Sequence, residues 1–377
     1  MSEWKTQKLG EVCKIEKKKY NGSNLAYVGM EDIESNTGRF LGSKIPKSVK
    51  SSTFKFTSEH ILYGRLSPYL NKVMLPDFEG HCSSEIFPIK VSKELDRSFL
   101  FYWLTQKKII LKIDETCTGT RMPRANMEKV LNFSLVIPPI EEQKRIVEIL
   151  DKAFEGIAQA EANTRRNLIN ARELFDSYIA RVFSCKKDNW LETTLGDSCF
   201  FFNGKAHEKN IDKYGKFIVV NSKFISSNGS IEKRTNFDLF PLLINDIVMV
   251  MSDVPKGKAL GKCYLIEQNN KYSLNQRICA IRSNKFNSLF LYYQLNRNYY
   301  FLKFDNQENQ TNLRKDDILK CPLYLPPIDE QKEIASDLTQ FKENGLVLET
   351  IYQRKLEAIA ELKQSILEKA FTGQLSQ

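Results

Sequence analysis

The chain has 377 residues, enough for about two to four domains, and 42% of them are hydrophobic, which is enough to form buried cores. Lys and Arg number 56 against 46 Asp and Glu, and the net charge of +10 favours a polyanionic partner. The sequence has no apolar run of about 18 residues, no apolar segment near Met1 and no C-x-x-C pair among its eight cysteines. We therefore expect a cytoplasmic protein with reduced thiols that neither spans a membrane nor is secreted.

An internal repeat organises the sequence from its first residues onward. Residues 4–13 follow the pattern Trp-x4-Leu-Gly-acid-x-Cys, and residues 190–199 repeat it 186 positions later. Residues 137–151 recur as residues 325–339, at an offset of 188. Two matched segments at nearly the same offset indicate one unit written twice.

The first globular segment, residues 1–137, is predicted to be a mixed α/β domain. Short apolar runs at 60–65 and 85–89 predict strands, and residues 98–112 predict a helix with a broad apolar face. A polar loop with turn residues follows at 116–124. The aromatic side chains of the helix are expected in the core rather than in a stacking platform.

Each copy of the second motif predicts a strand end, a Pro-Pro stop and a helix start. Proline cannot donate a ladder hydrogen bond, and it biases the preceding residue away from helix. Two acidic residues, Glu141 and Glu142 in the first copy, then open a run of helix formers, where the helix dipole favours negative charge.

Apolar residues spaced three and four apart continue after both junctions for roughly 40 residues. Two such seams in one chain most simply bury each other, so we expect an antiparallel pair of long helices. Gly156 and Gly345 interrupt them, and we expect a bend or break at each. Both segments hold more acidic than basic residues, so the basic excess lies in the globular segments.

The second globular segment, residues 188–325, follows the plan of the first with different residues. It has a strand at 246–251, an aromatic helix at 288–302 and a polar loop at 306–314. The predicted fold class is α+β: two mixed α/β domains separated by two long antiparallel coiled-coil helices, with a pseudo-twofold internal repeat.

No catalytic motif is present in the sequence. Residues 257–263 are one residue short of a phosphate-binding P-loop, and there is no G-x-G-x-x-G. The three histidines, His60, His81 and His207, do not cluster in the sequence, so we expect no catalytic or metal site. The residues alone predict a non-catalytic binder with two modules on a helical spacer.

The paired Pro-Pro-Ile-acid-Glu-Gln-Lys-x-Ile segments, each after a variable globular segment and before a long helix, resemble the specificity subunit of type I restriction-modification systems. Residues 62–73 followed by 82–85 resemble a common class of its target-recognition domains, and residues 119–121 and 369–375 are also similar to family segments. The resemblance covers the whole chain.

The resemblance implies four segments: target-recognition domain 1 (1–137), a first conserved spacer helix (138–187), target-recognition domain 2 (188–325) and a second spacer helix (326–377). Each domain would recognise one half of a bipartite, asymmetric site on double-stranded DNA. The helices would set the gap and dock two methyltransferase (modification) subunits, which carry adenine-N6 chemistry. Restriction/translocase subunits would join them. S-adenosylmethionine, ATP and Mg are expected in those partners, and no cofactor or metal in this chain.

The candidate DNA-binding residues have side chains that suit phosphates or base edges. In the first domain they are Arg65, Asn71, Lys72, Ser83, Ser84, Thr118, Arg121 and Arg124. In the second they are Ser252, Lys256, Lys258, Lys262, Asn275, Gln276, Arg277, Gln310, Asn312 and Arg314. Glu85 is predicted to be a structural partner. Each candidate has a simpler interpretation as an ordinary surface residue.

The candidate partner-docking residues lie at the two helix starts. They are Glu141, Glu142, Gln143, Lys144, Asp329, Glu330, Gln331 and Lys332. They could also simply begin a helix. Two other functions stay open at this point: a coiled-coil scaffold whose end domains bind proteins, and a stand-alone endonuclease with a degenerate site.

Overall fold

The computed structural model describes residues 4–119, 121–254, 257–305 and 308–375. The chain divides into two compact units. The first comprises Met1–Arg166 with Tyr352–Gln377, and the second comprises Asn167–Ile351. Each unit holds one globular domain and a part of each long helix. None of the described helices is both long and apolar enough to cross a membrane.

The first domain consists of two four-stranded sheets and short helices. Its strands are β1 (Lys5–Lys8), β2 (Cys13–Ile15), β3 (Lys19–Tyr20), β4 (Ala26–Val28), β5 (Thr53–Phe56), β6 (His60–Gly64), β7 (Val73–Met74), β8 (Gly80–Ser83), β9 (Ile86–Val91) and β10 (Ser134–Ile137). Its helices are α1 (Leu9–Val12), α2 (Arg97–Leu104), α3 (Lys107–Asp114) and α4 (Met127–Leu131), and the first long helix, α5 (Ile140–Ser184), follows. The sheet orders are β2-β9-β6-β7 and β3-β5-β8-β4, and β1 pairs with β10.

The first domain is built around β6, which is buried along its whole length. Side chains alternate between the two faces of a strand. Ile61 and Tyr63 therefore pack in one core with Phe99 of α2, whereas Leu62 packs in a second core with Phe56 of β5. The apolar run in the sequence is a central strand because both of its faces are covered.

The second domain repeats this topology. Its strands are β11 (Leu191–Thr194), β12 (Phe200–Asn203), β13 (Phe217–Val220), β14 (Arg234–Thr235), β15 (Ile247–Val250), β16 (Ser252–Asp253), β17 (Cys263–Leu265), β18 (Tyr272–Leu274), β19 (Ile278–Arg282), β20 (Thr311–Asn312) and β21 (Pro322–Leu325). Its helices are α6 (Leu195–Ser198), α7 (Ser222–Ser226), α8 (Ser288–Leu295), α9 (Tyr299–Leu302) and α10 (Lys315–Leu319), and the second long helix is α11 (Ile328–Phe371).

The strand orders identify the equivalent elements of the two domains. The order β12-β19-β15-β17 matches β2-β9-β6-β7, and β11 pairs with β21 as β1 pairs with β10. In each domain one pair of strands is parallel, β4 with β8 and β13 with β18. The buried strand β15 also alternates between two cores, with Met249 in one and Val248 in the other. The predicted internal repeat is confirmed at the level of topology.

Both predicted aromatic helices are interrupted. Residues 98–112 fall in α2 and α3, and residues 288–302 fall in α8 and α9. Between the latter two helices Arg297 has a φ of 54°, a left-handed conformation that a right-handed helix cannot contain. The side chain of Asn298 then caps α9 by accepting a hydrogen bond from the Tyr300 amide.

Within the first unit the two long helices run antiparallel. Arg145, near the start of α5, donates to the carbonyl of Leu375 at 2.8 Å, beyond the end of α11. Further along α5, Phe154 lies under the ammonium of Lys363, at 5.1 Å from the ring centroid. The chain positions therefore rise on one helix as they fall on the other.

The second unit contains the same antiparallel arrangement. Arg172 of α5 donates to Glu349 of α11 at 2.9 Å. Tyr178 of α5 stacks on Phe341 of α11 with ring centroids 4.4 Å apart. The antiparallel pairing predicted from the apolar seams is confirmed in both units.

The long helices are continuous through their glycines. Gly156 lies within α5 and Gly345 within α11, and both helices keep their assignment across these positions. The expected break is wrong, because one glycine weakens a helix by only about 1 kcal/mol and packing along the seam outweighs this.

Candidate nucleic-acid interface

A cluster of two arginines and one glutamate lies at an edge of the first domain. Arg65 donates from Nε to Oε2 of Glu85 at 3.1 Å, and Arg124 donates from Nε to both Glu85 oxygens at 3.0 and 3.1 Å. Partial burial would raise the pKa of the Glu85 carboxyl, but the hydrogen bonds and charges of the two arginines outweigh this and lower it. Glu85 is thus a structural partner, as predicted.

Backbone hydrogen bonds hold the segments of this cluster together. The amide of Arg65 donates to the carbonyl of Glu85, and the amide of Ala125 donates to the carbonyl of Arg65, both at 2.9 Å. The amide of Ser67 donates to the carbonyl of Pro123 at 2.8 Å. Three loops distant in sequence therefore meet at one place. Binding residues often lie on loops that a rigid scaffold holds in position, and this cluster has that arrangement.

Two of the predicted DNA-binding residues in this domain form hydrogen bonds within the fold. Asn71 is only 6% exposed and donates to the side chain of Asn36 at 3.3 Å. The ammonium of Lys72 donates to the carbonyl of Met30 at 2.5 Å. A DNA contact is wrong for Asn71, because its side chain is buried. Lys72 is half-buried, and its DNA contact stays a prediction.

The other candidates of the first domain remain at or near its surface. Thr118 and Arg121 are exposed, and Ser83 and Ser84 are half-buried. Thr118 forms a bridge with Arg124, so the described part of the predicted loop adjoins the Glu85 cluster. Thr120, within the family-like segment 119–121, lies outside the described residues.

The second domain has a pocket of about 520 Å³ beside the ends of its parallel strands. The side chains that line it with polar or charged groups are His207, Asn221, Ser222, Lys223, Lys233, Asn275 and Arg277. The pocket unites the predicted Asn275 and Arg277 with Lys223 and Lys233, which the sequence analysis missed. Charge was their only sequence signal, and it does not distinguish them from the other basic residues.

Two side chains shape this pocket from within the chain. His207 is fully buried and bonds to the carbonyl of Lys205 at 2.7 Å and to the hydroxyl of Ser273 at 2.9 Å. Asn275 is 7% exposed, and its side-chain oxygen accepts from the amide of Arg277 at 3.3 Å. Arg277 itself is exposed, so the pocket presents a guanidinium on a fixed backbone.

The remaining candidates of the second domain are distributed over its surface. Gln310 donates to the hydroxyl of Ser252 at 2.8 Å, and Asn312 pairs with Ser252 across β16 and β20, so these three residues are neighbours. Lys262 donates to the carbonyl of Ser226 at 2.9 Å, and burial lowers its pKa. Its ammonium is thus used within the fold.

The last four candidates complete the set. Lys258 and Arg314 are exposed, and Gln276 is half-buried with a partner inside the chain. Lys256 lies outside the described residues. Lys258 and Arg314 are not among the residues that line the pocket, whereas Gln276 stands between the lining residues Asn275 and Arg277.

At the helix starts, the two glutamines are not docking residues. Gln143 is fully buried; its oxygen accepts from the Asp96 amide at 2.7 Å, and its nitrogen donates to the carbonyls of Glu94 and Pro138 at 2.8 Å. Gln331 is 1% exposed and makes the equivalent bonds in the second unit. A docking role is wrong for both, because their amides fasten each long helix to its domain.

The charged residues around them differ in exposure. The exposed pair Lys144–Glu141 joins atoms 2.9 Å apart, and the exposed pair Lys332–Asp329 joins atoms 3.1 Å apart. Glu142 bonds to Arg145, and Glu330 bonds to Lys187 and to the indole of Trp190. The two exposed pairs lie at equivalent positions and remain predicted docking residues. No cluster suited to a metal ion occurs within the described ranges.

The family model for the type I restriction modification DNA specificity domain matches the chain twice, over residues 1–171 and 187–358. The chain belongs to this family, whose members are the non-catalytic DNA sequence-recognition subunits of these systems. The two matches correspond to the two halves of the internal repeat.

Three similar proteins illustrate the relationship. The EcoDI specificity subunit of Escherichia coli is 27% identical over 42% of this chain, and the match spans 36% of that protein. The MjaVIII specificity subunit of Methanocaldococcus jannaschii is 22% identical over 99% of this chain and 93% of that protein. A chain solved in a study of complex assembly and conformational transition of the type I R-M system has a TM-score of 0.86 at 20% identity, over 98% of both chains. It shares the fold.

Proposed function

We propose that this chain recognises a bipartite, asymmetric DNA site, with the domain of residues 1–137 on one half-site and the domain of residues 188–325 on the other. The observation that carries the proposal is that the two domains share a topology but differ in their side chains at equivalent positions. These positions, just after β6 and before β9 in the first domain and just after β15 and before β19 in the second, are called the recognition edge. Where the first domain has the Glu85 cluster, the second has Arg277 beside a basic pocket. Two domains of one fold and different surface chemistry suit two different half-sites.

In this proposal the spacer segments 138–187 and 326–377 set the gap between half-sites. Each of the two long helices contributes to both compact units, which supports this role. The net charge of +10 supports DNA as the polyanionic partner. The family match favours this function over the two alternatives, a protein-binding scaffold and a stand-alone endonuclease.

The proposed partners are two methyltransferase subunits and the restriction/translocase subunits, in the cytoplasm. The equivalent exposed pairs Lys144–Glu141 and Lys332–Asp329 support two equivalent docking sites. S-adenosylmethionine, ATP and Mg would be held by those partners, and this chain would supply DNA specificity. The solved neighbour comes from a study of type I R-M complex assembly, which supports a multisubunit context.

The test uses the full chain purified together with a modification subunit. Duplex DNA containing two randomised blocks separated by spacers of several lengths is retained on the complex and sequenced. Enrichment of two unlike half-sites at one fixed gap is expected. A complex that retains all sequences equally would refute the proposal.

A further inference from the structure

The two domains carry different side chains at equivalent positions of the recognition edge. In the first domain the amide of Arg65 donates to the carbonyl of Glu85 at 2.9 Å, just after β6 and just before β9. In the second, the amide of Met251 donates to the carbonyl of Arg277 at 3.3 Å, just after β15 and just before β19. By this shared backbone hydrogen bond, Arg65 is equivalent to Met251, and Glu85 is equivalent to Arg277.

A third pair of positions follows from the next hydrogen bond. The amide of Ala125 donates to the carbonyl of Arg65 at 2.9 Å, and the amide of Leu313 donates to the carbonyl of Met251 at 2.8 Å. The residues that precede these amides are Arg124 and Asn312. The cluster Arg65–Glu85–Arg124 thus corresponds to Met251–Arg277–Asn312, so the equivalent of the acidic residue is an arginine.

Arg65 is held in a fixed orientation with one edge open. Its Nε donates to Glu85 at 3.1 Å, and its guanidinium carbon lies 4.9 Å from the ring centroid of Phe87. Its side chain is 31% exposed. Within the described ranges its two terminal nitrogens donate to no acceptor, so the outward edge of the fork is free.

Arg124 differs because each of its three side-chain nitrogens contacts a group inside the chain. Its Nε and Nη2 contact Glu85, and Nη1 donates to the carbonyl of Met122 at 3.2 Å. Arg124 therefore orients the carboxylate, and the carboxylate orients Arg65. A planar fork anchored through Nε matches the two acceptors O6 and N7 of guanine in the major groove.

Arg277 has the corresponding freedom in the second domain. It is exposed, it lines the pocket with Lys223, and no described acidic side chain forms an ion pair with it. Its backbone is fixed by the side chain of Asn275. In the described part of the chain, Arg65 and Arg277 thus present terminal nitrogens that donate to no acceptor, and the two arginines stand at different backbone positions of the shared topology.

We propose that Arg65 recognises a guanine in the first half-site with Glu85 as its positioning residue, and that Arg277 recognises a base in the second half-site from the equivalent edge. This inference rests on the proposed function, because it assigns that function to particular side chains. The two arginines occupy non-equivalent backbone positions of the shared fold, and this difference would give the two domains different base specificity.

The test measures half-site preference with the Arg65→Lys variant in complex with a modification subunit, using the duplex library with two randomised blocks. Lysine keeps the charge and loses the planar fork. Preference for guanine at one position of the first half-site should fall on the order of 10- to 100-fold. The second half-site and the gap should not change.

An unchanged first half-site in Arg65→Lys would overturn the inference, since a phosphate contact tolerates lysine. Arg65→Met provides a second variant, because the second domain has methionine at this backbone position. It should lose the same guanine preference. A uniform loss of affinity for every sequence, with the preference kept, would also overturn the inference.

Glu85→Gln tests the positioning role, and Arg277→Lys tests the second domain. Glu85→Gln should weaken the same guanine preference as Arg65→Lys, whereas Arg277→Lys should alter only the second half-site. The matched controls are Arg39→Lys and Glu34→Gln, which alter an exposed pair of the same domain with bonds of 3.1 and 2.9 Å and should leave both half-sites unchanged.

If the wild-type complex selects no sequence, the proposed function fails. If it selects two half-sites and Arg65→Lys selects the same two, only this inference fails.

Discussion

Gln143 and Gln331 perform the same structural task in the two repeats. Each accepts from the backbone amide of the residue that caps the aromatic helix, Asp96 or Asn287, and donates to a proline carbonyl at the junction. A buried amide with satisfied donors and acceptors fixes geometry, and its removal leaves several groups without partners. The repeated glutamine of the motif is thus a fastening between helix and domain.

Gln143→Ala should destabilise the first unit by about 2 kcal/mol or more, because the Asp96 amide and two carbonyls lose a buried partner. Hydrogen exchange at the start of α2 should become faster, and the thermal midpoint should fall. Gln159→Ala, an exposed position on the same helix, should change stability by less than about 0.5 kcal/mol. Equal effects at the two positions would contradict the fastening role.

The Glu85 cluster should make stability depend on acid pH. The arginines hold the pKa of the Glu85 carboxyl below its ordinary value in the folded state, so its contribution to stability is present above the unfolded pKa and is lost as pH falls through the folded pKa. Thermal midpoints of the wild type should therefore fall more than those of Glu85→Gln between neutral pH and pH of about 3. Parallel midpoint curves would show that the carboxylate is not held by the arginines.

The long helices continue through the two glycines at which a break is expected. The spacing of apolar residues predicts which face of a helix packs against the other helix, but it does not predict whether other atoms surround a glycine. A Cβ added at Gly156 or Gly345 would meet no atom within 4 Å. By contrast, Arg297 interrupts a segment that the sequence predicts as one helix, since its left-handed φ of 54° is part of the domain packing. At Arg297 the local helix propensity is overruled by tertiary contacts, since its amide donates to the carbonyl of Gly261 at 2.8 Å.

Gly156→Ala should stabilise the protein by about 0.5 to 1 kcal/mol, because alanine restricts the unfolded chain and fits the open space around α5. Denaturant unfolding of the full chain measures this gain. Gly204→Ala is the contrasting variant, since its Cβ would lie 2.3 Å from the carbonyl oxygen of Asn275 and should destabilise the second unit. A loss of stability in Gly156→Ala would show that the helix is not regular at this position.

In the whole molecule, each compact unit combines a domain with antiparallel parts of α5 and α11. Extending both helices at the limits of the units, after Arg166 and after Ile351, adds spacer without touching either domain. Four added residues lengthen a helix by about 6 Å, which corresponds to about two base pairs of DNA. The gap between half-sites should lengthen by about this amount, and the half-site sequences should stay the same.

Methylation mapping of DNA modified by the assembled complex measures both quantities. Altered half-sites with an unchanged gap would show that the helices do not set the spacing. The same insertion in α5 alone is the control, and it should reduce stability because the apolar seam of the two helices loses its register.

Sequence alone determined the duplication, the Pro-Pro junctions, the two long helices and the family, because repeats and periodic apolar residues are local patterns that one chain displays directly. It also identified Arg65, Arg124 and Arg277 as candidates. Only the tertiary structure decided that Gln143 and Asn71 are buried, that Lys72 donates to the carbonyl of Met30, and that Lys223 and Lys233 share a pocket. The physical reason is strand register: which distant side chains meet depends on the pairing of β6 with β9 and of β15 with β19, and composition and spacing do not encode that pairing.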